Sequence, residues 1–229
     1  MDKIFCMTRL EDELKELRKS LTDIANLVGN QLKKSITALL EDDIDLANEV
    51  IYHEKRVNAL ELKIDQDCEY ILTLLNPVAQ DMRLVISTLK INADMERIGD
   101  YAEGIAELVI IGNKNFDKSL IEEIRLNEMS QTVLQMLDDI IKAYCEVDTR
   151  IARSVFVRDH ELNEINRNAS GIAEHFIRHN LDKIQQAFLT ISIIRKLERV
   201  GDHITNIAEE IIFFKEAEVL RHKSMVERK

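Results

Sequence analysis

The sequence predicts an all-α protein built as two tandem three-helix bundles related by pseudo-twofold symmetry, six long helices in all. Three observations carry this prediction. The segment from Glu96 to Glu107 returns as Glu198 to Glu209, at an offset of 102 residues and with identities at seven of twelve positions. An internal repeat near half of the 229-residue length sets the organisation before any other signal. A single proline, six glycines, no tryptophan and 32% charged residues make a chain with few breakers, the composition of long helices. Apolar residues also recur in alternating steps of four and three, a heptad-like seam along which long helices pack at a shallow angle.

In the first helix that seam runs through Leu10, Leu14, Leu17, Leu21, Ile24, Val28, Leu32, Ile36 and Leu39. Glu41-Asp42-Asp43 then offers caps before a second helix, which Asn76-Pro77 ends. The second helices align at an offset of 105: Ala47 with Ala152, Val50 with Val155, Glu54 with Asp159, Asn58 with Asn163. A three-residue difference in the following connection accounts for the change of offset. The third helix continues the seam through Leu84, Thr88, Ile91, Met95, Ile98, Ala102, Ile105 and Val109. Gly112-Asn113-Lys114-Asn115 ends it and separates the halves, and the second half turns again near His179-Asn180. The expected units are residues 1–112, residues 117–217 and a basic tail over 218–229. Met82, Met95, Met129 and Met136 fall at core-like spacing and read as core filler. No β-structure is expected.

Composition narrows the function. The formal charge is −11, and no cluster of Lys and Arg with interleaved aromatics appears, which disfavours nucleic-acid binding. The basic stretch from Arg221 reads as a solvated tail. Cys6, Cys68 and Cys145 lack metal-type or redox-type spacing and read as reduced thiols of a reducing compartment. The start is not a signal peptide and no apolar run approaches ~18 residues, so the expectation is a soluble, cytoplasmic protein that meets membranes only through partners. The Glu-x-x-His pair of ferritin-like enzymes, His-Glu-x-x-His, a glycine-rich phosphate loop and a glycine-flanked serine nucleophile are all missing. The expectation is therefore that the chain is not an enzyme. His203, beside Asp202 and matched by Tyr101, reads as a surface or packing residue.

The repeat also keeps residues that a core does not require. Glu96 and Asp100 are one turn apart on one helix face, as are Glu198 and Asp202, and Glu103 and Glu107 continue the stripe. Like charges at this spacing cost a few tenths of a kcal/mol per pair, and Gly99 and Gly201 each cost about 1 kcal/mol relative to alanine. A glycine between two carboxylates permits close approach of a neighbouring helix or leaves space for a ligand. Two readings follow. With Arg97 and Arg199 three residues before Asp100 and Asp202, the charges form an exposed ion-pair ladder. Alternatively Glu54 and Asp159 of the second helices join them, and three carboxylates per half hold a hard cation such as Mg²⁺, Mn²⁺ or iron.

These residues resemble those of the PhoU family, the phosphate-transport accessory and signalling proteins of bacteria. Pro77-Val78-Ala79-Gln80-Asp81-Met82-Arg83 resembles the family's turn and helix start. Lys90-Ile91 with Met95-Glu96-Arg97-Ile98-Gly99-Asp100 resembles its first repeat motif, and Leu197-Glu198-Arg199-Val200-Gly201-Asp202 with Asn206-Ile207-Ala208-Glu209 its second. The resemblance covers essentially the whole chain and implies the same two-bundle fold. It further implies a divalent metal (Mg, Mn, Fe or Zn) on Glu96, Asp100, Glu198 and Asp202, with Glu54 and Asp159 from the second helices. The positions four residues on are Asn58 and Asn163, weaker ligands than aspartate. Gly104 stands where the second repeat has Asn206, so the two sites need not be equivalent.

What the resemblance implies about role is regulation by contact. Such proteins restrain the high-affinity phosphate ABC transporter through its ATPase subunit and keep the phosphate-sensor histidine kinase off when phosphate is plentiful. Asp81, Arg83, Arg97 and Arg199 are the candidates for partner contact or for bracing the sites, and a homodimer fits the family. The rival expectations are an accessory protein of a secondary phosphate transporter and a metal-binding carboxylate protein.

Overall fold

The computed structural model describes residues 2–113 and 115–220, with side chains from Arg9 onward. The six long helices are α1 (Asp2–Glu41), α2 (Ile44–Tyr70), α3 (Gln80–Gly112), α5 (Leu126–Glu146), α6 (Thr149–His179) and α7 (Ile184–Glu216). A seventh, absent from the expectation, is the six-residue α4 (Lys118–Glu123). No strand occurs among the described residues. The side chain of Cys6 and the tail from Arg221 lie outside the described residues.

Local chemistry sets the breaks. Asp43 caps α2 by accepting from the Leu46 N–H at 3.0 Å, and Asp148, 105 residues on, caps α6 by accepting from the Arg150 N–H at 2.8 Å. Asp117 does the same for α4 through the Leu120 N–H. Arg125 in the left-handed region breaks α4 from α5, which leaves α5 at 21 residues against the 40 of α1. Past Tyr70, α2 loosens into one π-helical turn (Ile71–Leu75) before Asn76 and Pro77. The turn closes at Ala79, held at φ 48° and ψ −109°, a conformation with a steric penalty for any residue carrying a Cβ. Ala79 is exposed, so Ala79→Gly loses no packing. It is expected to raise the unfolding free energy by about 1 kcal/mol in urea denaturation; an unchanged midpoint would remove the strain.

The seams behave as the periodicity predicts. Leu14 through Leu39 on α1 and Leu84 through Val109 on α3 are buried in a core that runs without interruption through both halves. Each fully buried Leu or Ile in it contributes about 1.5–3 kcal/mol. Met95, Met129 and Met136 are in that core, but Met82 is 45% exposed, because it sits on the first turn of α3 at the tip of the α2–α3 hairpin. In each half the second and third helices pack along their length, and α3 and α7 join the halves as an antiparallel central pair. The pseudo-twofold axis passes between them. Asp94 meets Asn206 across it, and Lys196 meets Gly104, two contacts that interchange when each residue is moved by 102 positions.

Candidate functional site

The repeated glycines are where the second helix of each half comes against the third. A Cβ on Gly99 would lie 3.1 Å from Glu54 Oε1 and 3.3 Å from Val57 Cγ1. A Cβ on Gly201 would lie 3.3 Å from Asp159 Oδ1 and 2.5 Å from Leu162 Cδ1. Of the two possibilities raised by the sequence, close approach is realised in both halves, and the group that approaches is the second-helix carboxylate.

In the first half Glu54 is only 3% exposed. Burial, with Glu103, Asp100 and Glu96 facing it, pushes its carboxyl up to about 7. Gln31 opposes this from α1: in the amide orientation that satisfies both of its ends, it donates to Glu54 Oε2 at 3.2 Å and accepts from the Glu54 backbone N–H. Oε1 is buried without a hydrogen-bond partner. Glu96 and Glu103 are also raised by burial and by neighbouring carboxylates. The second half repeats the arrangement with less charge. Burial, Asp202 and Glu198 raise Asp159 to about 6, while Asn163 donates to its Oδ2 at 2.7 Å. Its Oδ1 is buried and unpartnered, the counterpart of Glu54 Oε1.

The arginines lie on the outer edge. Arg97 reaches Asp100 at 2.8 Å and Glu96 at 3.5 Å, and Arg199 reaches Asp202 at 3.1 Å and Glu198 at 3.6 Å. Both guanidinium groups are more than half exposed, so each pair contributes at most about 1 kcal/mol. The ladder reading therefore describes the outer edge, and leaves the buried oxygens of Glu54 and Asp159 unexplained. Asn58 is exposed. Asp81 and Arg83 lie on the first turn of α3, some 20 Å along the helix from Glu96. Asp81 lines a groove there with Lys15, Arg18 and Phe214.

Among the described residues no three His, Cys, Asp or Glu side chains converge as a finished metal shell. The donor set nonetheless fits a hard divalent cation: all-oxygen ligands, negative in excess, with one buried oxygen per half lacking any donor.

Three features lay beyond the sequence reading. Gln31 interrupts the α1 seam with a polar side chain, its only outward sign. Glu61 and Asp65 extend the acidic seam in the first half: Asn92 donates to Asp65 at 2.9 Å, and burial, Asp65 and Glu96 raise Glu61. Their repeat partners are Asn166 and Ser170, so the second half is less acidic. The partners of His203 are the third: it packs, as the sequence reading has it, but at the central pair, where it contacts Asp94 Oδ1 at 2.8 Å and lies against the Tyr101 ring. Across the axis Lys196 sits over Tyr101. Asn206 reaches Asp94, while Gly104 makes room for Lys196. The departures from repeat symmetry at positions 101, 104, 203 and 206 are therefore complementary.

A family model described as PhoU domain matches residues 21–109 and 126–211, the two halves in turn. The chain belongs to the PhoU family. It is 29% identical over 213 residues to the phosphate-specific transport system accessory protein PhoU of Serratia marcescens, covering 92% of this chain and 86% of that protein. The crystal structure of PhoU from Pseudomonas aeruginosa superposes with a TM-score of 0.86 at 30% identity, covering 91% of this chain and 99% of that one. The phosphate transport system regulatory protein PhoU from Streptococcus pneumoniae gives 0.80 at 27% identity, covering 92% and 98%. Among the described residues no helix is long and apolar enough to cross a membrane.

Proposed function

We propose that this chain regulates phosphate uptake and phosphate-starvation signalling in the cytoplasm by protein contact. In this reading it restrains a high-affinity phosphate ABC transporter through the ATPase subunit and holds the sensor kinase off when phosphate is plentiful. The observation that carries the reading is the match of both repeats, over most of the chain, to PhoU proteins of phosphate transport systems. Long helices joined by one continuous core suit a rigid adaptor. Divalent cations belong to the same proposal. Glu54, Glu96 and Asp100 would hold one in the first half, and Asp159, Glu198 and Asp202 in the second, with Asn163 orienting Asp159. A bound cation would neutralise the carboxylate excess and tie α2 to α3 and α6 to α7. Arg97 and Arg199 would brace the outer carboxylates.

The test is a phosphate-starvation reporter in phosphate-replete cells. Deleting the gene is expected to switch the reporter on, and restoring it to silence the reporter. Restoration with Glu96→Gln/Asp100→Asn and Glu198→Gln/Asp202→Asn forms then asks whether the carboxylates act in signalling. A reporter that stays off after deletion removes the regulatory reading.

A further inference from the structure

Between α6 and α7 of the second half lies a groove of about 380 Å³. Its apolar floor comes from Ala173 and Ile177 on one helix and from Phe188 and Ile191 on the other. Arg178 and Arg195 stand on its two walls. Phe188 is 61% exposed, and Leu181 and Ile184, earlier in the same hairpin, are 70% and 39% exposed. An apolar groove rimmed by charged residues, with a large exposed aromatic at its edge, has the make-up of an interaction site. The floor residues follow helical spacing along two adjacent helices, the shape that receives a third, amphipathic helix.

The repeat does not require these residues. Phe188 corresponds to the half-buried Ile86, Arg195 to Ala93 and Arg178 to Thr73. The second half thus lines this groove with Arg178, Arg195 and one carboxylate, Glu174, a net positive rim in a protein of net charge −11. At the matching positions the first half has Thr73, Ala93 and Glu69, with Lys90 in place of Ser192. Arg178 pairs with Glu174 one turn away, but both side chains are mostly exposed and the pair is weak enough to exchange. The carboxylate site of this half lies farther along the same two helices, beyond Arg195.

We propose that this groove docks an acidic amphipathic helix of a partner protein, its apolar face on Phe188 and Ile177 and its carboxylates on Arg178 and Arg195. The proposal rests on the contact reading above and gives that contact a surface. It is tested on the full chain with a fluorescein-labelled helical peptide roughly five turns long. The peptide carries leucines on one face and flanking glutamates, and its twin carries lysines in their place. The glutamate peptide is expected to bind about tenfold more tightly than the lysine twin, and to lose about tenfold in affinity with Arg195→Glu or Arg178→Glu. Phe188→Ser weakens both peptides, and all three variants alter exposed residues, so their melting temperatures stay within about 2 °C of the parent value. No binding of the glutamate peptide, or equal binding of the twin, overturns the proposal. So does self-association of the chain that Phe188→Ser abolishes, since a second copy would then cover the face. The reporter separates the two claims. If deletion switches it on and the Phe188→Ser/Arg195→Glu protein silences it fully, contact regulation stands and this groove is not its surface. If deletion leaves it off, regulation fails and peptide binding alone judges the groove.

Discussion

Replacing Glu54 with glutamine is expected to stabilise the cation-free protein at alkaline pH and to remove most of its stabilisation by Mn²⁺. The folded-state carboxyl titrates near 7, against an ordinary value of 4.5. The folded protein therefore holds the proton more tightly than the unfolded chain. Below pH 4.5 the group is protonated in both states and costs nothing. Between pH 4.5 and 7 the unfolded chain releases the proton while the folded protein still holds it, and above 7 the folded protein carries a buried charge. Stability therefore falls across that window by about 3 kcal/mol in total and stays low beyond it. Glutamine keeps the hydrogen-bonding shape facing Gln31 and has no proton to lose. Thermal unfolding in chelator at pH 8 should thus place Glu54→Gln about 2 kcal/mol above the parent, with the order narrowing towards pH 5. Mn²⁺ inverts the comparison. At a hundred times its Kd it stabilises the parent by about 2.7 kcal/mol, and the glutamine form by much less. A variant less stable than the parent at pH 8, with no response of either protein to Mn²⁺, would make Glu54 a structural group held by Gln31 and nothing more.

That prediction could not be written from the sequence, although much of what surrounds it could. The Glu-Arg-x-Gly-Asp repeat located the third-helix carboxylates, and the matched Glu54 and Asp159 located their partners, because repeat positions share an environment in both halves. The seams of α1 and α3 were legible because heptad-like spacing is a one-dimensional signal for a buried face. Gln31 was not legible, since its role depends on which α2 residue stands opposite α1, and helix pairing in register has no local signature. The pairs Asp94–His203 and Lys196–Tyr101 were hidden for a related reason. Tyr101 and His203 were visible as a departure from the repeat, but their complementarity with Lys196 and Asp94 exists only once α3 and α7 run antiparallel across a twofold axis. Met82 shows the limit of spacing itself: it keeps the step of an apolar face at a point where the helix has run past its neighbours.

The glycines supply the other large effect. Gly99→Leu is expected to lower the unfolding free energy by about 3 kcal/mol and to abolish stabilisation by Mn²⁺ together with it. A Cβ alone already lies 3.1 Å from Glu54 Oε1 and 3.3 Å from Val57, so a larger side chain must push α2 off α3 where the carboxylates meet. Gly99→Ala sets two terms against each other: about 1 kcal/mol gained in helix propensity and a tight contact with a buried oxygen. Its stability should stay near the parent while its response to Mn²⁺ weakens, because the methyl group presses on the carboxylate a cation would use. Gly171, within α6, is the control. Nothing lies within 4 Å of a Cβ built there, and Gly171→Ala should gain about 1 kcal/mol with the Mn²⁺ response intact. If Gly99→Ala gains as much as Gly171→Ala and responds to Mn²⁺ like the parent, the close approach at Gly99 serves packing alone. If the two responses part, a mid-helix glycine kept in both repeats, at a cost in helix stability, is explained by the carboxylate it admits.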